Sequence, residues 1–354
     1  MRCSIVPPYL LARIAAIEDR GLERAATAAQ ASLVHDAPMQ RARRAQPAPP
    51  GVRQAVQRVL PTTRKLEGPH RTVFDADGTQ TLPGKTVRTE GQDAGKDTSV
   101  TEAYDGLGFT HSLYRYAYSR ASIDDKNLPL LASVHYGHDY DNAFWNGDQM
   151  VFGDGDGTVF CGFTHSLTVI GHELTHGVTQ YSANLTYEGQ SGALNESISD
   201  VFGALVEQYS LGQTAAEASW LIGAGLFTDQ VQGTALRSMK NPGTAYDDDV
   251  LGKDPQPADM KHYIETEDDN GGVHLNSGIP NRAFALAAIE LGGSAWKKAG
   301  QVWYDTLTGG ALPVDCDFTR FAAATTDAAS TRFGAGSPEE RAVAAGWKTV
   351  GVAR

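Results

Sequence analysis

The chain has 354 residues, 41% of them hydrophobic and 20% charged, with 30 basic against 42 acidic side chains for a formal net charge of −12. This length and mix suit a globule of two lobes, or of one lobe with an appendage, and exclude a disordered or coiled-coil chain. No apolar run approaches the roughly 18 residues of a membrane span, and the acidic surplus makes nucleic acid an unsuitable partner. The N-terminal run MRCSIVPPYLLARIAAIEDR is too short in its apolar part, and charged too soon, for a secretory signal. The expected location is therefore cytoplasmic, or outside the cell by a nonclassical route.

The charge is unevenly spread. Residues 1–71 hold 12 Lys and Arg against 5 Asp and Glu, or +7, which leaves 18 against 37, or −19, for the rest. In residues 10–35 an Ala-rich stretch carries Leu11, Ile14, Ile17 and Leu22 at helical spacing, interrupted by Gly21. QRARRAQPAPPG at 40–51 has the composition of an extended, solvated linker. From about 71 to 160 come short β-like runs, TVFDADGTQTLPG, ASVHYG and MVFGDGDGTVF, divided by Asp-Gly and Pro-Gly turns, with one helical interlude around 101–119. Beyond 165 helical periodicity takes over. Ile198, Val201, Phe202, Leu205, Val206 and Tyr209 share one face before a stop at Gly212, and later helices start at Pro280 and Trp296 and end in Gly pairs at 292–293 and 309–310. Strands preceding helices predict an α+β fold of two lobes: an arm at 1–55, a β-rich lobe at 56–181 and a helical lobe at 182–354. Three cysteines, Cys3, Cys161 and Cys316, imply no disulfide framework.

The strongest chemical signal is His172-Glu173-Leu174-Thr175-His176. Residues four apart on a helix project from one face, so the two imidazoles can bind one metal ion while Glu173 sits beside it without ligating. Leu167, Ile170, Leu174 and Val178 keep the helical spacing that the motif needs. Downstream, GALNESISD sets Glu196 and Asp200 four apart on a second helix. Two histidines and one carboxylate leave the open fourth position of a catalytic zinc site, which makes Glu196 the candidate third ligand. Asp200 is then suited to accept the other ring N–H of a ligating histidine. Taken alone, Glu196 and Asp200 also fit a solvated helix face.

HELTH, NESISD, ASVHYGHDYDNAFWNGDQMVFGDGDG and DDNGGVHLNSGIPNRAF together resemble the thermolysin-like neutral zinc metalloproteases over about residues 71–350. The N-terminal SIVPPYLL with its short arm resembles the protealysin-type subgroup, whose members carry a short propeptide. The resemblance implies zinc on His172, His176 and Glu196, Glu173 as general base, Tyr187 and His274 as oxyanion donors, and Asp269 orienting His274. It further implies that Asn142, Ala143 and Trp145 form an edge strand for the substrate backbone and that Arg237 meets a substrate carbonyl. Phe160, Phe163, Val169, Ile222 and Leu236 match an apolar pocket just after the scissile bond, so cleavage is expected on the amino side of bulky hydrophobic residues of peptide and protein substrates.

Departures from the family concern calcium. Thr168, Leu221 and Ala224 stand where acidic ligands of its double site are expected, although Glu207 persists, so weak calcium dependence or loss of the site follows. Asp154 and Asp156 in GDGDG, like Asp75 and Asp77 in DADG, still offer oxygens to calcium, but without the closing Glu of an EF-hand loop they read rather as turn residues. The basic arm is expected to act in cis as an inhibitory propeptide, its Pro7-Pro8-Tyr9-Leu10 run lying in the cleft and its cut falling between 36 and 70. Cys3 has two readings, a thiolate on zinc's open position or an incidental residue. A monomeric zinc endopeptidase made as a zymogen is the reading adopted; the alternative is a catalytically silent metal-binding or adhesion protein on the same scaffold.

Overall fold

A computed structural model describes residues 3–18, 21–44 and 68–353. In the arm, β1 (Cys3–Ser4) leads into α1 (Pro8–Ala15) and α2 (Glu23–Arg44). Pro8 sits at the start of α1, where a missing N–H costs nothing. The helix-prone stretch of the sequence thus forms two helices broken near Gly21. The second runs through the basic segment to Arg44, where composition suggested a linker.

The N-terminal lobe contains β2 (Arg71–Asp75), β3 (Lys85–Thr89), α3 (Thr98–Tyr118), β4 (Leu130–Val134), β5 (Ala143–Trp145) and β6 (Met150–Phe152). Asp97 caps α3 by accepting from the Val100 N–H, and Ser119 ends it in the left-handed region. The six strands form one sheet in the order β1-β5-β6-β4-β2-β3, with β2, β4 and β6 parallel and the others antiparallel. The arm therefore supplies the outer strand, with Cys3 opposite Trp145 and Ser4 opposite Phe144.

Helices dominate the remainder: α4 (Leu167–Gln180), α5 (Gly189–Leu211), then, past the short pair β7 (Leu221–Ile222) and β8 (Arg237–Ser238), α6 (Asp269–Asn276), α7 (Gly278–Leu291), α8 (Ala299–Thr308), α9 (Phe318–Phe333) and α10 (Pro338–Thr349). A two-lobed α+β architecture results, β-containing first and α-helical second. The approach of α4 to α5 fixes the site. A Cβ on Gly203 would lie 2.4 Å from the Thr168 carbonyl oxygen, and one on Gly171 would lie 3.0 Å from the Gly203 Cα. Only glycine permits this spacing, and it brings the NESISD turn of α5 against the HELTH turn of α4.

Candidate active site

Residues 168–179 of α4 are all buried, as are the NESISD residues of α5. His172 and His176 turn their Nε2 atoms toward each other at 3.0 Å, and Glu196 brings Oε2 to 3.5 Å from the first and Oε1 to 3.4 Å from the second. The other face of each ring is engaged: His172 Nδ1 donates to Asp200 Oδ1 at 2.7 Å, and His176 Nδ1 to Asn195 Oδ1 at 2.9 Å. Those bonds fix the tautomers that leave both Nε2 lone pairs facing one point. Donor atoms about 2.1 Å from a tetrahedral zinc ion stand about 3.4 Å apart, so the spacing fits that ion. The buried Glu196 Oε2 accepts no hydrogen bond, which leaves it available as a ligand. Among the described residues, His172, His176 and Glu196 are the one group of three or more metal-capable side chains that converges. Burial would raise the Glu196 pKa, but His274, His176 and His172 bring it down to about 2, so it is a carboxylate.

Asp200 anchors the rear of the site. Burial opposes its charge, yet Arg237 and His172 hold its pKa well below the usual carboxylate range. Arg237 grips it through Nε and one terminal nitrogen at 2.9 and 2.8 Å, and Asn281 donates to it at 2.8 Å. On the open side, α6 begins with Asp269, Asn270, Gly271 and Gly272 at φ of 51°, 52°, 83° and 71°. This left-handed turn carries His274 toward the cleft. Its Nδ1 donates to Asp269 Oδ1 at 2.7 Å, and its backbone N–H donates to Asp269 Oδ2 at 2.9 Å. Burial lowers the His274 pKa, but the Asp269 and Glu196 charges outweigh it and raise the pKa overall. The Tyr187 hydroxyl donates to Glu196 Oε1 and lies 3.4 Å from His274 Nε2. Glu173 Oε2 accepts from the Trp145 N–H at 2.9 Å.

The cleft itself is filled by the arm. The Ile5 N–H donates to the Ala143 carbonyl at 3.1 Å and the Val6 N–H to Asn142 Oδ1 at 2.9 Å. His274 Nε2 donates to the Ser4 carbonyl at 3.1 Å and Arg237 to the Ile5 carbonyl at 3.0 Å. Ile5 is fully buried in the same core as Phe160, Phe163, Val169, Ile222 and Leu236. Ser4-Ile5-Val6 threads the cleft, and the expected Pro7-Pro8-Tyr9-Leu10 run follows it directly. Pro7 is the extended N-cap and Pro8 the first residue of α1, where its fixed φ is compatible with helix, while Leu10 joins the same core as Ile5 with Tyr9 packed against it. The side chain of Cys3 lies outside the described residues.

The family model of the thermolysin metallopeptidase catalytic domain matches residues 60–180, and that of the alpha-helical domain matches residues 183–352. An extracellular metalloprotease of Pectobacterium carotovorum subsp. carotovorum is 51% identical over 99% of this chain and 96% of its own. The chain belongs to the thermolysin family of metallopeptidases. Protease PrtS of Photorhabdus sp. (strain Az29) is 50% identical over 80% of this chain and 76% of its own. A solved precursor of protealysin, from Serratia proteamaculans, is 50% identical with a TM-score of 0.88 and covers 99% of this chain and 100% of its own. This thermolysin-type metallopeptidase is a zinc-dependent neutral endopeptidase of the protealysin type, made as a zymogen with its propeptide in cis. None of these relatives supports a silent adhesion scaffold. No helix among the described residues is long and apolar enough to cross a membrane.

The structure gathers His172, Glu173, His176, Tyr187, Glu196, Asp200, Arg237, Asp269 and His274 around one point, with Ala143 and Trp145 on the adjoining strand β5 and Asn142 just before it. Two contributors escaped the sequence reading. Asn195 and Ser199 both reach His176 Nδ1, at 2.9 and 3.1 Å. Their four-residue spacing, parallel to that of Glu196 and Asp200, was the available signal. At the calcium positions, the Thr168 hydroxyl accepts from the Gly223 N–H at 2.9 Å, and burial raises the Glu207 pKa. Asp156 accepts from three successive backbone N–H groups, Thr158, Val159 and Phe160, in the manner of a turn residue.

Proposed function

We propose that this metallopeptidase cleaves peptide bonds on the amino side of bulky aliphatic or aromatic residues, with Glu173 as general base. Zinc, when held by His172, His176 and Glu196, supplies Lewis-acid polarisation of the peptide carbonyl and a water that loses its proton near neutral pH. Glu173 takes that proton and delivers it to the leaving amine. His274 and Tyr187 donate to the oxyanion, with Asp269 holding the His274 ring in place. Asp200 orients His172, Asn195 orients His176, and Arg237 receives the carbonyl that follows the reacting bond. Asn142, Ala143 and Trp145 pair with the substrate backbone as an added strand.

The observation that carries this reading is the arm's own register. Ser4 offers its carbonyl to His274, Ile5 its carbonyl to Arg237 and its N–H to Ala143. A substrate in the same direction has an Ile-like residue immediately after the reacting carbonyl. Residues 1–55 are read as the propeptide, 56–181 and 182–354 as the two lobes, with the cut after α2 ends at Arg44 and before the family match begins at residue 60. A monomer suffices, since one chain supplies every group named. Names given to relatives favour export, which cell fractionation tests.

Quenched peptides differing only at the residue after the bond test the mechanism. Glu173→Gln is expected to lower kcat by roughly 10²–10⁴-fold while zinc content stays equal to wild type. A chelator should abolish activity and zinc should restore it. Activity indifferent to both would overturn the mechanism, and equal cleavage before Ile and before Asp would overturn the specificity.

A further inference from the structure

Helix α2 touches the enzyme with a buried carboxylate. Asp36 is 1% exposed, yet it lies on the propeptide. Its Oδ1 accepts from the Tyr140 hydroxyl at 2.7 Å, and its Oδ2 accepts from Asn142 Nδ2 at 2.8 Å. His35, in front of it, bonds Asp36 Oδ1 at 2.9 Å and the Tyr136 hydroxyl at 2.8 Å, its ring enclosed by Tyr136, Tyr140 and Phe144. Ser32, one turn back, accepts from the Asp141 N–H at 3.0 Å. Together these contacts cover the chain that leads into β5.

Asn142 joins the two parts of the propeptide. Its Oδ1 accepts from Val6 in the cleft, while its Nδ2 donates to Asp36 on α2. Turning the amide over would set Nδ2 against the Val6 N–H and Oδ1 against the carboxylate, two repulsive pairs in place of two bonds. Both Asp36 oxygens accept here, one from Tyr140 and one from the amide, so Asp36 fixes which end of the amide faces the cleft; the Ala143 N–H, 3.0 Å from Oδ1, acts in the same sense. Buried acceptors matched by such donors are costly to remove.

We propose that Asp36 is a positioning residue for latency: a second lock, outside the cleft, that clamps Tyr140 and Asn142 and thereby fastens Ser4–Val6 in the substrate position. The proposal rests on the reading of Asn142 as a backbone-binding amide. Its test needs no catalysis, so its failure is distinct from failure of the mechanism.

Amide hydrogen exchange at Ile5 and Val6 is followed in the zinc-loaded, uncut chain carrying Glu173→Gln. Asp36→Ala is expected to speed exchange at both positions at least tenfold. Arg24→Ala, which breaks the exposed Arg24–Asp139 pair on the same helix, should change it less than twofold. Asp36→Asn keeps the volume and serves if the alanine variant does not fold; at least threefold faster exchange is expected. Faster exchange confined to α2, with Ile5 and Val6 within twofold of the parent in the folded variants, would overturn the proposal, because the cleft strand would then hold without the lock.

Discussion

Asp141 sets a buried carboxyl beside a second one. Its Oδ1 accepts from the Asp156 N–H at 2.8 Å, and burial, followed by the Asp156 charge, pushes its pKa up to about 9. Near neutral pH the folded chain therefore keeps a proton on Asp141 that the unfolded chain releases. A pKa raised in the folded state gives stability that is fully present below the unfolded value of about 4 and is lost as pH climbs toward 9. Asp141→Asn supplies the neutral form permanently. It should stabilise the precursor at pH 7 by about 1–2 kcal/mol, with the gain shrinking toward pH 4, as read from melting temperatures across that range.

Among the elements, α4 and α5 were the most legible in the sequence and β1 the least. A 3.6-residue period with His and carboxylate at fixed offsets names both the helices and the faces that meet. Asn195 and Ser199 went unseen because neutral polar side chains on a helix look the same whether they face water or a histidine. β1 contains two residues, too few for any alternation, and its partner β5 lies about 140 positions along the chain. Nothing local could announce that pairing. In α2, good helix formers such as Gln and Arg extend the helix past Pro38, which the Pro/Ala-rich composition beyond it obscured. The helix pair also carries a sharp constraint. Gly203→Ala forces a Cβ against the Thr168 carbonyl and should cost about 1–3 kcal/mol. The substitution should lower the melting temperature and weaken zinc binding in a chelator competition. An unchanged zinc affinity would mean that the contact between α4 and α5 does not hold the ligands.

At the scale of the whole molecule, the charge split seen in the sequence becomes an anatomical one. The residues of the candidate site outside the arm all lie in the −19 portion, while the +7 portion holds the pieces that fill the cleft and cover the approach to β5. Loss of the arm should move the isoelectric point downward from about 5.3, a shift that isoelectric focusing before and after processing detects. Docking of the arm on the body should weaken with ionic strength only modestly, because its principal contacts are buried and the exposed Arg24–Asp139 pair contributes little.

The arm runs through the cleft antiparallel to β5 and is covalently tied to the surface it blocks. A tethered occupant acts at an effective concentration in the millimolar range, whatever the amount of protein present. A cut beyond α2 breaks the tether without disturbing a single contact of Ser4, Ile5, Val6 or Asp36. From that moment occupancy obeys mass action, and cutting and activation become separate events. If the arm is cut there, the nicked protein should stay largely silent where it is concentrated and gain activity on dilution, which an activity assay of the nicked protein over a dilution series checks.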